Sequence, residues 1–163
     1  MRAAAAGLVL TSVNTAATPP NLYLVVGYDG SAPAVRALDA AVRLLHGREG
    51  RIDVVYVAHI PGVDMLSADA VVQERVTLDD IEQDLRAAAA EQLRDREDRW
   101  QFERRDGLIA DQLLAAAKAL HESGPDDLVS IVVGSSSQAL HRMLGSAAVS
   151  LARHSPVPVV IVP

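Results

Sequence analysis

Residues 22–31 read LYLVVGYDGS. Six residues from Leu22 to Gly27 form a near-continuous apolar run, and Tyr28-Asp29-Gly30-Ser31 then turns polar at once. A strand buried on both faces of a parallel sheet reads this way, because helices cover it above and below. The residues that follow change period. Ala34, Val35, Leu38, Ala41, Val42 and Leu45 fall on one face of a helix, which stops near Gly47 and Gly50. Ile52–Ala58 (IDVVYVA) is a second buried strand.

The same alternation continues outward to the C-terminus. Residues 59–76 are mixed in character and read as a loop. Thr77 then precedes Asp79, Asp80 and Glu82, so a cap and first-turn acids predict a long helix running to about Asp98. Trp100–Arg104 (WQFER) alternates like a half-exposed strand near a sheet edge, with Arg104 and Arg105 as its exposed end. Gly107 precedes a helix over Leu108–His121. Leu128–Val133 is the next strand, closed by Gly134 and a serine-rich loop. Ser146–His154 is the last helix and Val157–Val162 the last strand. Strands separated by helices imply crossover connections and a doubly wound parallel α/β sheet with helices on both faces.

Composition agrees with one such domain. The chain has 163 residues and is 50% hydrophobic but only 3% aromatic, so Ala, Val, Leu and Ile must fill the core. A net charge of −6 provides no general attraction for phosphates, and nucleic acid is not an expected partner. The absence of cysteine excludes disulfides and thiolate metal sites. No apolar run is long enough to cross a membrane as a helix. Arg2, the apolar stretch Ala3–Leu10 and Thr15-Ala16-Ala17 trace a weak outline of a secretory signal. The apolar part is short and alanine-rich. Residues 1–20 therefore read as a disordered tail ending at Pro19-Pro20, ahead of a cytoplasmic domain over 21–163.

In open α/β sheets, ligands lie beyond the carboxyl ends of the strands, where the winding reverses. The two most polar strand ends are Gly27-Tyr28-Asp29-Gly30-Ser31 and Gly134-Ser135-Ser136-Ser137, and Gly145-Ser146 opens the last helix. If the first and fourth strands are neighbours, all three line one crevice. Asp29 could accept hydrogen bonds from a sugar hydroxyl or help hold a hydrated cation. A helix start bearing a hydroxyl suits an anion. Each feature also has a plain account: Ser31 and Ser146 as helix caps, Asp29-Gly30 as a tight turn. Near the serine loop, His141 and Arg142 are either solvated or phosphate contacts. There is no G-x-x-x-x-G-K-[ST] and no G-x-S-x-G, and His46, His59, His121, His141 and His154 lack ligand spacing.

These residues also resemble the universal stress protein family. Val26, Asp29 and Ser31 match its V-x-x-D-x-S at the end of the first strand. Gly134 matches the first glycine of its G-x2-G-x9-G-[ST], Gly145-Ser146 match the closing pair, and VPVVIVP resembles its last strand. Gly107 stands where the family often has a glycine before its third helix. Two departures are visible. Ser137 stands in place of the second glycine, and seven residues rather than nine separate it from Gly145.

The resemblance implies a five-stranded parallel sheet in order 3-2-1-4-5 and a homodimer. In the last strand, an apolar edge would pair with its own copy. It also implies that ATP or another adenine nucleotide binds in some members, with Mg²⁺ as a candidate companion. By position, Gly27, Asp29, Ser31 and Val57 would hold the nucleoside, and Gly134, Ser135, Ser137, Gly145 and Ser146 the ribose and phosphates. Two readings stay open: a small nucleotide-binding stress-response or regulatory protein, and a dimeric interaction module of the same fold without nucleotide. An enzyme ranks below both, slow ATP hydrolysis being the one activity left open.

Overall fold

The computed structural model describes residues 19–58, 68–135 and 146–163. Most of the tail expected over 1–20, and the loops around 59–67 and 136–145, lie outside the described residues. The elements run β1 (Leu22–Gly27), α1 (Ala32–Leu45), β2 (Gly50–Ala58), α2 (Ala68–Gln92), β3 (Trp100–Asp106), α3 (Ile109–Ser123), β4 (Leu128–Gly134), α4 (Ser146–His154) and β5 (Val159–Val162). The five strands form one sheet in order β3-β2-β1-β4-β5. All four neighbouring pairs are parallel.

Two cores lie on opposite faces of this sheet, as the period of 2 requires. On one face Leu24, Val26, Ile52, Val54 and Phe102 pack against Ala37, Leu38 and Ala41 of α1 and Ala89 of α2, with Leu93 just beyond it. On the other, Val25, Val55, Ile131 and Val133 pack against Leu113 and Ala117 of α3 and Leu151 of α4. Each fully buried Val, Leu or Ile contributes about 1.5–3 kcal/mol. With so few aromatic residues, the cores rely on many such contributions. Among the described residues Asp53 is the one buried charged residue, at 6% exposure. Arg51 two positions earlier on β2 donates to both its carboxylate oxygens, at 2.7 and 3.3 Å.

The structure corrects the expected limits of several elements. Helix α2 begins at Ala68 rather than Thr77, which is therefore an interior helical residue and not a cap. From residue 63 to 106 the chain has neither Gly nor Pro, and Ala68, Ala70, Gln73 and Glu74 favour helix, so nothing stops it forming early. The helix ends at Gln92, not near Asp98. A 3₁₀ turn over Arg94–Arg99 follows, interrupted where Arg96 leaves helical geometry (φ −140°, ψ 35°). Strand β5 starts at Val159, not Val157. The Ser155 side chain bridges the backbone of Val157, donating to its carbonyl at 2.7 Å and accepting from its N–H at 3.2 Å. Pro158 has no N–H to give, although its carbonyl accepts from Ile131 at 2.9 Å.

One close approach fixes how α1 lies on the sheet. Gly134 ends β4 directly beneath Pro33 in the first turn of α1, and a Cβ at position 134 would collide with the Pro33 carbonyl. That collision is with backbone, which cannot swing aside. Gly134→Ala is therefore expected to cost about 1–3 kcal/mol of stability. It should lower the urea midpoint without changing the slope of the transition. Ser31→Ala, which removes only a 3.4 Å capping bond to the Ala34 N–H, is expected to cost at most about 1 kcal/mol in the same measurement.

Candidate functional site

The site begins where two strands part. The ladder between β1 and β4 ends at Val26↔Val132. Beyond that pair β1 stays with β2 through Gly27↔Val55, and Tyr28 N–H donates to the Val55 carbonyl at 2.9 Å. Strand β4 stays with β5 through Gly134↔Val162, and Ser135 N–H donates to the Val162 carbonyl at 2.7 Å. The two central strands thus turn toward opposite neighbours and open a crevice at their carboxyl ends. Helix α1 departs to one face from β1 and α3 packs on the other, so this is the point where the winding reverses.

The first loop is built locally. Asp29 Oδ1 accepts from the Ser31 N–H at 3.0 Å, a side-chain turn that shapes the two residues between strand and helix. Gly30 sits at φ +75°, and a Cβ there would come within 2.7 Å of Leu85 on α2. Both the left-handed conformation and the contact call for glycine. Ser31 is the N-cap of α1 (φ −66°, ψ 157°), its Oγ accepting from Ala34 N–H. Its capping role is therefore structural. Asp29 and Ser31 are both exposed. Asp29 Oδ2 has no hydrogen bond among the described residues.

The remaining expected residues divide in two. Pro33 against Gly134 brings the first loop beside the end of β4, so Gly27, Asp29, Ser31, Gly134 and Ser135 share the crevice. Gly27 itself is tightly packed, its missing Cβ facing Leu113 at 3.1 Å and Val133 at 3.2 Å. Val57 is the next-to-last residue of β2, half-buried, one strand further from β4. Ser137 and Gly145 lie outside the described residues. Ser146 begins α4 as expected. No group of three His, Cys, Asp or Glu among the described residues is placed to hold a metal ion. No described helix is long and apolar enough to cross a membrane.

A further set of residues was not expected. Arg104 and Arg105, read above as an exposed strand end, are only 16% and 23% exposed in their side chains. Arg104 lies on the α2 face of β3, paired in register with Tyr56 of β2. Its Nη1 is 2.8 Å from Asp79 and its Nε 3.3 Å from Asp106. Burial opposes its charge, but Asp106 and Asp79 more than compensate and hold its pKa above the ordinary value. Period 2 in the sequence already carried this signal: Trp100, Phe102 and Arg104 must share a face.

Tyr56 and Tyr28 respond to the same surroundings. Burial raises the Tyr56 phenol above 10.0; Arg104 opposes this, and Asp106, Asp29 and Glu82 reinforce it. Tyr28 is raised by burial and then by Asp29. A raised folded-state pKa means that the fold favours the protonated phenol. This contribution is complete below the unfolded value of about 10 and is lost as pH rises through the folded values. Thermal stability is thus expected to fall between pH ~10 and the folded values. Tyr56→Phe should make that fall shallower, and an equally steep decline in the variant would contradict the assignment.

Comparison with known proteins bears on this geometry. A family model, the universal stress protein family, matches residues 23–163. Among solved structures, a universal stress protein in complex with cAMP is 21% identical, with a TM-score of 0.54, over 87% of this chain and 97% of that one. The Archaeoglobus fulgidus universal stress protein in complex with dAMP is 16% identical, with a TM-score of 0.52, over 90% and 100%. An Arabidopsis thaliana universal stress protein family protein with AMP bound is 12% identical, with a TM-score of 0.56, over 88% and 91%. No curated protein sequence matches. The sheet order, the parted central strands and a family match reaching from Tyr23 to the last residue agree: this chain belongs to the universal stress protein family.

Proposed function

We propose that this protein is a small stress-response or regulatory protein of the cytoplasm that binds an adenine nucleotide in the crevice between β1 and β4. The observation that carries the reading is the parting of those strands after Val26↔Val132, with the exposed Asp29 carboxylate at the mouth. Three structural relatives with AMP, dAMP and cAMP support the ligand class. In this reading Asp29 accepts from ribose hydroxyls, Val57 offers backbone groups to the base, and Gly134 and Ser135 line the ribose side. Ser137, Gly145 and Ser146 are assigned to the phosphates by sequence position. ATP, with Mg²⁺ on its phosphates, is one candidate within this class.

Calorimetry with AMP, ADP, ATP and cyclic AMP tests the reading. Asp29→Asn keeps an acceptor for the Ser31 N–H but loses the charge, and is expected to weaken binding at least about tenfold, ~1.4 kcal/mol, at unchanged melting temperature. No heat from any of the four at millimolar concentration would refute nucleotide binding. Because Ser137 replaces a glycine and the following loop is two residues shorter than the family pattern, the outer phosphates are expected to contribute little. AMP should bind within about tenfold of ATP. A hundredfold preference for ATP would overturn that point alone.

A second proposal concerns self-association. All four residues of β5 are half-exposed apolar residues on an edge strand. We propose that this edge pairs with a second copy about a two-fold axis, which would bury it and close the assembly. This contact serves equally a dimeric interaction module that binds no nucleotide. Light scattering at tens of micromolar should report a dimer, and Val160→Lys with Val162→Lys should dissociate it. A monomeric parent protein, or a dimer that survives both substitutions, would rule this out.

A further inference from the structure

We infer that Arg104 is a positioning residue: it clamps the middle of α2, residues 77–86, across the ends of β2 and β3, and that stretch of helix forms a wall of the crevice. Helix α2 is held by different contacts along its described length. Its last turns are anchored by apolar burial, with Ala89 at 0% exposure and Leu93 just beyond it at 1%. Gln92 adds hydrogen bonds to the Val35 carbonyl at 2.9 Å and Asp39 at 2.7 Å on α1. Over the described residues ahead of them, 76–86, the apolar anchorage is partial. Leu78 is buried and Leu85 rests on Gly30, but Val76 and Ile81 are exposed at 51% and 38%.

An ionic chain runs beside these contacts. Arg104 Nη1 donates to Asp79 at 2.8 Å and lies 3.7 Å from Glu82, both on α2. Its Nε donates to Asp106 on its own strand at 3.3 Å. Glu82 in turn accepts from Arg86 Nη2 at 2.8 Å. The Arg86 guanidinium lies over the Phe102 ring, 4.7 Å from its centre, and donates to the Phe102 carbonyl at 3.5 Å. Helix and strand are therefore joined through two cations and three carboxylates. Isolated surface pairs contribute little, but here the central guanidinium is largely shielded from water. Without it Asp79, Glu82 and Asp106 would repel one another around the Tyr56 phenol.

This clamp sits beside the site. Tyr56 is paired with Arg104 and is followed by Val57, and the first loop touches α2 through Gly30 and Leu85. Val57 faces the other side of the sheet, so release of residues 77–86 would withdraw a wall from the Asp29 loop. The effect on ligand rests on the nucleotide reading above, whereas the clamp itself does not.

Hydrogen exchange followed by mass spectrometry, on the full chain, tests the clamp. Arg104→Gln should speed exchange in peptides covering residues 77–86 about tenfold or more, leaving 87–93 and α3 unchanged, and Arg104→Lys should partly restore protection. Arg94→Gln, which breaks an exposed pair with Glu91, should have no effect on 77–86. Unchanged exchange in Arg104→Gln would overturn the clamp. If Arg104→Gln loosens the whole domain, the pair Asp79→Asn with Glu82→Gln decides: local acceleration supports the clamp and none refutes it. An AMP titration tests the wall, and Arg104→Gln should weaken binding about fivefold or more. Unchanged affinity with accelerated exchange would remove the wall and keep the clamp. A wild-type protein that ignores AMP would sink the nucleotide reading and the wall, while the exchange result would still judge the clamp.

Discussion

The contact between Gly134 and Pro33 is the constraint on which the rest of the molecule depends. It lets the first turn of α1 lie directly on the end of β4, although α1 follows β1 in the chain. The helix thereby bridges the two central strands just past the point where their ladder ends. With α1 placed there, Ala37, Leu38 and Ala41 reach the sheet with no exposed surface left, and the first core closes. The same placement sets the N-cap at Ser31 and the turn at Asp29. A side chain at position 134 would lift the helix, and both core and loop would shift together.

The carboxyl ends of the strands carry an uneven charge pattern. Toward β2 and β3 stand Asp29, Asp79, Glu82 and Asp106, with Arg104 and Arg86 between them. Toward β4 and β5 the described residues include Gly134, Ser135, apolar β5 and Pro163, whose carbonyl accepts from Arg36 at 2.8 Å, with no Asp or Glu among them. A polyanion near the first group would meet net negative charge, whereas a neutral group rich in hydroxyl and amino donors would find acceptors. Asymmetry of this kind orients a ligand before any specific contact is made.

Much of this architecture was legible in the sequence because it follows from period and punctuation. The runs LYLVVG and LVSIVV, each closed by glycine or a turn, read as strands, and α1 declared its apolar stripe. The order of the strands was not contained in those periods and rested on the family resemblance. Helix α2 was begun too late because Thr77 with its acids looks like a cap, while the signal that mattered was a long stretch without Gly or Pro. Val157 reads as strand on its apolar character, although its flanking prolines favour the Ser155 turn. Arg104 reads as part of an exposed strand end because arginine is usually exposed. Its partners, Asp79 and Glu82, are more than twenty residues away in sequence, and no local pattern links them.

The glycines and serines of the crevice do not by themselves distinguish a binding site from a scaffold. Gly134 is needed by Pro33, Gly30 by its φ and by Leu85, and Ser31 by the helix it caps. Asp29 is different. The turn it makes with Ser31 N–H uses one oxygen, and asparagine would supply that oxygen equally well. The charge is surplus to that duty. The N-terminus of α1 repays some of it, typically by 0.3 to about 1 kcal/mol for a carboxylate within the first turn and less beyond it. Asp29 stands two residues ahead of the cap, so this contribution is at the low end of that range. Folding alone therefore gives little reason to prefer aspartate at this position. The proposed ligand, bringing hydroxyl donors to the second oxygen, would give one.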